Sequence, residues 1–254
     1  MNPAIRVGIG GWTYAPWRGL FYPPGTRQAD ELAFASRHLS SIEINGTFYR
    51  TQTRDGFRKW RDATPDDFVF SVKAPRYATQ QKRLAEAGPA IDKFVKSGLD
   101  ELGPKLGPVL WQLPGTKRFD EDDLAAFLAL LPREIAGRAM LHAVEVRHES
   151  FNNPDFVALM RRENVAIVFA DSDKYPQIAD TTGEFTYARL MRSRPDVVSG
   201  YPPDEFAAWA ARFGQSAEPG ARRPCYVYFI NGAKERAPAA AMALIDELKK
   251  SSGK

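Results

Sequence analysis

The stretch SIEIN, Ser41–Asn45, alternates polar and apolar side chains, and this alternation decides the fold. Successive side chains of a β-strand point to opposite faces, so Ile42 and Ile44 would face one layer. Glu43 and Asn45 would then face the opposite layer. A buried carboxylate is costly unless it is paired and hydrogen-bonded, so Glu43 needs a partner. The stretch therefore predicts a strand that packs on helices through one face and presents polar groups on the other.

Seven further apolar runs have the length of a buried strand. They are IRVGIGG, FVFSVK, GPVLWQL, HAVEVRH, VAIVFAD, FTYARLM and CYVYFIN. Helical periodicity lies between most of them, and it predicts helices at about residues 27–38, 53–63, 86–102, 119–135, 154–163, 202–214 and 236–250. Asp120 is the predicted N-cap of the fourth of these helices. The segment between Asp171 and Glu184 lacks a strong helical pattern.

The alternation of strands and helices predicts an α/β fold. Eight parallel strands buried on both faces, in a chain of 254 residues, match a closed (β/α)8 TIM barrel. An open doubly wound sheet is the alternative, but no strand-to-helix turn carries the glycine pattern of a dinucleotide or phosphate loop. We therefore expect residues 1–254 to form a single TIM-barrel domain, with one helix short or missing and no nucleotide cofactor.

The composition is that of a globular protein, because 44% of the residues are hydrophobic and 26% are charged. The net charge of +4 suits anionic ligands, but it is spread along the chain and does not favour general nucleic-acid binding. No signal-peptide pattern and no membrane-length apolar window is present, so we expect a cytoplasmic protein without membrane contact. The single cysteine, Cys225, is predicted to be a small buried residue on a strand.

Strand parity predicts a polar cluster inside the barrel. Glu145 and Arg147 of HAVEVRH repeat the pattern of Glu43 and Asn45. Further positions that we expect to point inward are Ser71, Lys73, Gln112, Asp171, Tyr187, Arg189 and Asn231. Almost all lie near the C-terminal end of a strand, where barrel enzymes hold their active sites. The alternative is an ionic plug, but leucine or valine fills a barrel layer at lower desolvation cost, so this many polar positions favour a site.

Several motifs in order resemble those of one known family. They are GGWTYAPWRGLFYP (10–23), IEINGTFYR (42–50), FVFSVKAPRYAT (68–79), LWQLP (110–114), VEVRHESF (144–151), YARLM (187–191) and YVYFINGAKERAPAAA (226–241). Through them the chain is similar, from end to end, to the YecE-like family, the domain of unknown function seventy-two. The resemblance implies a TIM barrel with a site at its C-terminal mouth. It implies no particular reaction.

Three positions depart from the pattern of that family. Phe151 stands where a tryptophan is usual, which keeps a stacking surface and loses an indole donor. Met191 begins the sequence MRSR, where the family commonly has a histidine and a glycine. Gly232 follows Asn231, where a second asparagine is usual. If the missing groups are catalytic in relatives, the chemistry of this chain is altered.

The polar set favours an enzyme that uses acid–base chemistry on a small anionic or polyhydroxylated molecule, as a hydrolase or an isomerase. In this hypothesis Glu43 and Glu145 are the acid and base, and Lys73 is a base or an electrostatic stabiliser. The remaining members are expected to bind substrate: Arg147 and Arg189 as anion clamps, Asn45, Gln112 and Asn231 as orienting partners, Asp171 and Tyr187 as further polar contacts, and Trp12, Tyr14 and Tyr49 as pocket walls.

Two other functions remain open at this stage. Glu43, Glu145, His148 and Asp171 would form an oxygen-rich site for manganese, magnesium or zinc, and barrels resembling sugar isomerases and apurinic-site endonucleases use such sets. Alternatively, the mouth holds an anion, a nucleotide or an RNA end without turning it over. A basic collar would serve that purpose, made of Arg189, Arg192, Arg194, Arg222, Arg223, Lys234 and Arg236.

Overall fold

A closed barrel of eight parallel strands forms the centre of the protein in the computed structural model, which describes residues 5–214, 217–218 and 221–252. The strands are β1 Ile5–Gly10, β2 Ser41–Ile44, β3 Val69–Lys73, β4 Leu106–Gln112, β5 His142–Glu145, β6 Ala166–Asp171, β7 Thr186–Leu190 and β8 Cys225–Phe229. Each strand pairs with its neighbours in sequence, and β1 closes the barrel by pairing with β8. The predicted α/β barrel is therefore confirmed.

Helices surround the barrel between most pairs of strands. They are α1 Glu31–His38, α2 Gly46–Tyr49, α3 Arg54–Asp62, α4 Arg76–Thr79, α5 Gly88–Val95, α6 Glu121–Ala129, α7 Pro154–Arg162, α8 Pro203–Gly214 and α9 Ala237–Ser252. Asp120 caps α6, because its side chain accepts a hydrogen bond from the backbone N–H of Asp123 at 3.0 Å. No helix lies between β6 and β7, as the sequence predicted. Short hairpins are formed by Glu134–Ile135 with Arg138–Ala139 and by Ala217–Glu218 with Ala221–Arg222.

The helix predicted at 86–102 is interrupted. The helix α5 ends at Val95, and a 3-10 helix, Leu99–Lys105, leads into β4. Gly98 separates the two with a φ of 115°, a left-handed conformation that a glycine adopts without steric cost. Helical periodicity continues across this break, so it did not reveal the turn.

The barrel strands separate an outer core from an inner one. Ile42, Ile44 and Val144 belong to the outer core, which lies between barrel and helices, as the alternation predicted. The inner core consists of Leu110, Ala143, Ala166, Val168, Phe185, Tyr187, Tyr226, Tyr228 and Ile230. These apolar and tyrosine side chains fill the barrel, so the polar residues that follow them on the strands are raised toward its C-terminal mouth. Within the described ranges, no helix has both the length and the apolar character needed to cross a bilayer.

Candidate functional site

A buried ionic cluster lies inside the barrel, centred on Arg189 of β7. Its Nε and Nη2 donate to the carboxylate of Glu43 at 3.1 and 3.0 Å, and its Nη1 donates to the carboxylate of Glu145. The hydroxyl of Tyr187 also donates to Glu43, at 2.7 Å. Arg189 is 2% exposed and both carboxylates are fully buried. The partner that the SIEIN stretch requires for Glu43 is therefore the Arg189–Tyr187 pair.

A second set of polar groups extends from this cluster toward the mouth. Arg147 donates from Nε to Glu145 at 2.7 Å and from Nη2 to the amide oxygen of Gln112 at 2.8 Å. Lys73 Nζ donates to the same amide oxygen at 2.7 Å and stands 4.0 Å from the ring centroid of Phe48. Across both sets, three cations face two carboxylates, so the cluster carries one excess positive charge when all five groups are ionised.

The environment shifts the pKa values of these groups in different directions. Burial, with a further contribution from the charge of Arg189, lowers the pKa of Lys73 to about 8. Burial by itself would raise the pKa of Glu145, but Arg189 and Arg147 outweigh it and the pKa is lowered. Burial and the neighbouring Glu43 raise the pKa of Tyr187 well above its usual value. At neutral pH Glu145 is thus held as a carboxylate, while Lys73 titrates close to the physiological range.

A cavity of about 490 Å³ opens at the mouth of the barrel, and we call it the mouth cavity. Its charged and amide lining comes from Asn45, Lys73, Gln80, Gln112, Arg147, Arg189, Asn231 and Lys234. Glu43 and Glu145 are fully buried and are not among its lining residues. A ligand in the mouth cavity would therefore meet the cations and amides of the cluster, and the carboxylates would act on it through Arg189 and Arg147.

Two further cavities adjoin the mouth cavity. One, of about 520 Å³, shares Asn45, Tyr49 and Lys234 with it and also contains Trp12. The other, of about 600 Å³, shares Asn231 and extends along the loop after β6. The mouth of the barrel thus holds three adjacent recesses that share lining residues.

The structure brings most of the predicted site residues together. Those in the ionic cluster or the mouth cavity are Glu43, Asn45, Tyr49, Lys73, Gln112, Glu145, Arg147, Tyr187, Arg189 and Asn231. Trp12 lines the adjoining cavity, where its ring meets that of Trp60 edge to face with centroids 5.0 Å apart. Tyr14 lies at the rim, with its ring 4.4 Å from Lys234 Nζ.

Asp171 does not point inward, and that prediction was wrong. Its strand partner is Leu190, and it has the parity of Ile167 and Phe169 in the outer core. Its carboxylate instead pairs with Arg192 at 2.6 Å. The polarity of the residue suggested an inward position, but the inward residues of β6 are the small and apolar ones.

Asn231 reaches the mouth by a different route from the one predicted. The inward residues of β8 are Tyr226 and Tyr228, and Ile230 continues their parity, so Asn231 is out of phase. It has a φ of 62°, a left-handed conformation that asparagine tolerates better than most residues. This turn, and not the alternation of the strand, places Asn231 at the mouth.

The four residues named for a metal site are not assembled. Glu43 and Glu145 accept hydrogen bonds from Arg189, and Asp171 pairs with Arg192 on the outer side of the barrel. His148 accepts the backbone N–H of Ser150 through Nδ1 at 3.1 Å, which caps a short 3-10 helix. Among the described residues, no group of three or more histidine, cysteine, aspartate or glutamate side chains could hold a metal ion. The donors present therefore do not fit that prediction.

The predicted basic collar is only partly formed. Arg223 precedes β8 and donates to the carbonyl of Gly183, so it lies at the opposite end of the barrel from the mouth. Arg236 donates to the carbonyl of Pro195. The side chain of Arg222 lies outside the described part of the chain. Lys234 lines the mouth cavity together with Arg189, and Arg192 and Arg194 line the adjoining cavity of about 600 Å³.

Three residues at the site escaped the sequence analysis. Phe48 holds Lys73 through its ring face, and the ring of Tyr175 stands 4.4 Å from the Arg147 guanidinium. The hydroxyl of Tyr228 forms hydrogen bonds of 2.6 Å with both Ser41 and Ser71. Tyr228 could have been found from its parity in CYVYFIN, whereas Phe48 and Tyr175 lie after strands, where no alternation indicates their direction.

The three departures from the family pattern have different places in the structure. Phe151 is buried against Phe156, with ring centroids 5.0 Å apart, and does not line the mouth cavity. The side-chain amide nitrogen of Asn231 donates a hydrogen bond to the sulfur atom of Met191 at 3.9 Å. Gly232 has a φ of 57°, and a Cβ there would lie 2.6 Å from Ser193 Oγ and 2.8 Å from its backbone nitrogen. The second and third departures are therefore neighbours at the mouth.

A family model described as "Protein of unknown function DUF72" matches residues 6–254. The chain belongs to the DUF72 family. The UPF0759 protein YecE of Escherichia coli K12 is 31% identical over 150 residues, which are 58% of this chain and 50% of YecE. The match thus spans about half the length of this curated relative. The family membership confirms the resemblance that the motifs indicated.

Solved structures share the fold of this DUF72 protein. A DUF72 family protein from Thermotoga maritima has a TM-score of 0.75 and 21% identity, covering 98% of this chain and 99% of its own. D-psicose 3-epimerase has a TM-score of 0.51 and 11% identity, covering 98% of this chain and 97% of its own. At these identities the likeness concerns the barrel alone.

Proposed function

We propose that this DUF72 protein is an enzyme that binds a small anionic, hydroxyl-bearing substrate at the barrel mouth and moves a proton with Lys73. The observation that carries the proposal is the arrangement of charge: Lys73, Arg147 and Arg189 line one cavity. The two carboxylates that offset them do not line it. A substrate carboxylate or phosphate would therefore meet positive charge and no competing anion.

Lys73 has the surroundings of a proton-transfer group. Its ammonium makes one hydrogen bond, to Gln112, and rests on the ring of Phe48, so it carries no ion pair within 4.0 Å in the described part of the chain. With a pKa near 8, both the amine and the ammonium are populated at physiological pH. A group in this state can take a proton and return it without a large energetic cost.

The lining residues favour isomerisation over glycoside hydrolysis. Glycoside hydrolysis requires two carboxyl groups that face the scissile bond, and the described residues that line the mouth cavity include none. In an isomerisation, the Lys73 amine would take a proton from the carbon beside a carbonyl and return it to the carbonyl carbon, while the hydroxyl proton of the first carbon passes to the former carbonyl oxygen. The negative charge that develops on the oxygens would be stabilised by Arg147, and the amides of Asn45 and Gln112 would orient the hydroxyls.

The carboxylates receive a different role from the one that the sequence suggested. Glu43 and Glu145 were predicted to be the acid and base, but both are buried and bonded to Arg189. We assign them to positioning, because they hold Arg189 and Arg147 in place at the floor of the mouth cavity. Their substitution would change the geometry of the cations and would not remove the group that carries the proton.

Binding of an anion without turnover is the second candidate. It is supported by the full burial and pairing of the two carboxylates of the ionic cluster, an arrangement that also agrees with the ionic plug considered from the sequence. In that case Lys73 and Arg147 hold the anion and no proton is transferred.

Solvent isotope exchange distinguishes these functions. A panel of sugar phosphates and hydroxy acids would be incubated with the protein in D2O, and deuterium at carbon would be followed by NMR. We expect exchange with at least one compound, and its loss in Lys73→Met. Lys96→Met is the matched control, because it removes the same charge from an exposed site. Exchange that persists in Lys73→Met would refute the catalytic role, whereas Lys73-dependent binding without exchange would establish the binder.

A further inference from the structure

The cavity of about 520 Å³ beside the mouth cavity is a candidate second binding site. The two cavities share Gly10, Asn45, Tyr49 and Lys234 in their walls. Gly10 belongs to this common wall, and a Cβ there would lie 2.7 Å from the amide nitrogen of Asn45. Because these lining residues are shared, the two cavities are adjacent, and a ligand that contacts Asn45, Tyr49 and Lys234 is in reach of both.

Aromatic side chains dominate the apolar part of this second cavity. Trp12 and Trp60 are half-buried and meet edge to face, which fixes the orientation of both rings. Tyr49 is 70% exposed at the junction of the two cavities. A large aromatic ring left in water at the edge of a cavity provides a surface on which a flat ring can stack.

Polar groups complete the lining. Gln28 and Arg50 lie on the wall with Asn45. Within the described residues, the side chain of Arg50 makes no hydrogen bond or ion pair. A hydrocarbon ring would displace water from these polar side chains and would offer no hydrogen bonds in return. A heteroaromatic ring has donors and acceptors at its edge that can replace the hydrogen bonds to water.

Lys234 lies at the boundary between the two cavities. Its ammonium is held over the ring of Tyr14 at 4.4 Å and lies 5.7 Å from the ring centroid of Trp17. No carboxylate pairs with it in the part of the chain that the structure describes. Lys234 therefore adds a cation, with its charge available, at the point where a ligand would pass from one cavity to the other.

We propose that the second cavity is a subsite for the heteroaromatic ring of an organic phosphate, so that the substrate class is an aldose or ketose phosphate that carries a heteroaromatic base. The phosphate lies in the mouth cavity with Lys73, Arg147 and Lys234 around it, and the base stacks beside Tyr49. This inference rests on the proposed function, because it uses the same anion site. It adds the chemical class of the group attached to the anion.

Calorimetric titration with two probes of equal charge tests the subsite. Adenosine 5′-monophosphate and ribose 5-phosphate carry the same phosphate and differ in the base. We expect the wild-type protein to bind the adenosine compound about tenfold more tightly, because stacking of one base on an aromatic ring contributes on that order. Tyr49→Ala should abolish the difference between the two affinities, because it removes the ring on which the base stacks. Tyr49→Phe keeps the ring and should retain the difference.

The possible results separate the subsite from the anion site. Equal affinities of the wild type for the two phosphates, together with weaker binding in Lys73→Met, would overturn the subsite and keep the proposed function. A Tyr49→Ala protein that still prefers the adenosine compound would also overturn it. If Lys73→Met and Arg147→Met bind both compounds as the wild type does, or if neither compound binds, the anion site is wrong and the subsite fails with it. Because Tyr49 is mostly exposed, its variants are expected to fold normally.

Discussion

Arg189 of β7 and Glu43 of β2 meet across the interior of the barrel through two hydrogen bonds, from Nε and Nη2 to the two carboxylate oxygens. The third nitrogen of the same guanidinium reaches Glu145 of β5. One side chain thus joins three strands that are not neighbours in the sheet. The planar fork of arginine makes this possible, since lysine would offer a single point of charge.

Removal of Arg189 should destabilise the protein strongly. Arg189→Met leaves two buried carboxylates without their principal partner, and breaking a buried ion pair in this way costs about 3–5 kcal/mol. We expect the free energy of unfolding in urea to fall by that amount at pH 7. A control protein with Glu43→Gln, Glu145→Gln and Arg189→Met together should recover part of the loss. An Arg189→Met protein as stable as the wild type at pH 7 would contradict the prediction.

The affinity for sulfate should report the protonation of Lys73. Sulfate keeps its charge between pH 7 and 9, whereas a lysine with a pKa of about 8 loses its proton in this interval. The affinity should therefore fall by about tenfold as the pH rises from 7 to 9. Lys73→Arg should bind sulfate equally at both pH values, since a guanidinium stays charged. Lys96→Met should keep the wild-type profile. A flat wild-type profile would show that Lys73 does not contact the anion.

His142 should make the protein less stable in acid. Its ring lies between Trp111, which donates to Nδ1 at 3.1 Å, and the carbonyl of Pro132, 2.7 Å from Nε2. Burial lowers the pKa of His142 from 6.5 to about 4. As the pH falls, the unfolded chain therefore binds a proton at His142 before the folded protein does. The free energy of unfolding that depends on the neutral imidazole is complete above pH 6.5, and about 3 kcal/mol of it is lost as the pH falls to 4.

Thermal or urea unfolding between pH 7 and 4 measures this loss. His142→Gln is the matched variant, because an amide can accept from Trp111 and donate to Pro132 without titrating. Its stability should depend less steeply on pH than that of the wild type. Identical slopes for the two proteins would assign the acid sensitivity to other groups.

The hydroxyl of Tyr228 should contribute to stability, and that of Tyr226 should not. Tyr228→Phe leaves the buried hydroxyl of Ser71 without its partner, while Ser41 still donates to the carbonyl of Val69. The expected cost is about 1–2 kcal/mol in urea unfolding. Tyr226 is buried on the same strand, and its hydroxyl makes no hydrogen bond with a described residue. Tyr226→Phe should therefore change the stability by less than about 0.5 kcal/mol. Equal effects of the two substitutions would argue against the serine–tyrosine network.

The sequence was sufficient to predict the barrel and the ionic cluster. The alternation in SIEIN and HAVEVRH predicted that Glu43 and Glu145 point inward. A shift of the strand register by one residue would have turned the isoleucines and valines of these two strands into the interior, in place of the carboxylates. The same rule, applied without regard to polarity, would have kept Asp171 out of the site. At Asp171, therefore, strand phase was a better guide than side-chain polarity.

The rest of the site depends on loops, for which no periodicity exists. Tyr175 stands on the connection between β6 and β7 that lacks a helix, and Lys234 follows β8 in a short 3-10 helix. Their positions over Arg147 and Tyr14 result from tertiary packing. The sequence also could not show that Arg189 would pair with both carboxylates, and this pairing is what changed their proposed role from catalysis to positioning.

The contact between Gly232 and Ser193 has a consequence for protein engineering. Ser193 occupies the volume that a side chain at position 232 would need, and the backbone N–H of Ala233 donates to the Ser193 carbonyl at 2.8 Å. A chimaera that imports only the connection after β8 from a relative with a larger residue at this position would collide with the connection after β7. Transplanting both connections together avoids the collision, so the two segments form a single module for grafting.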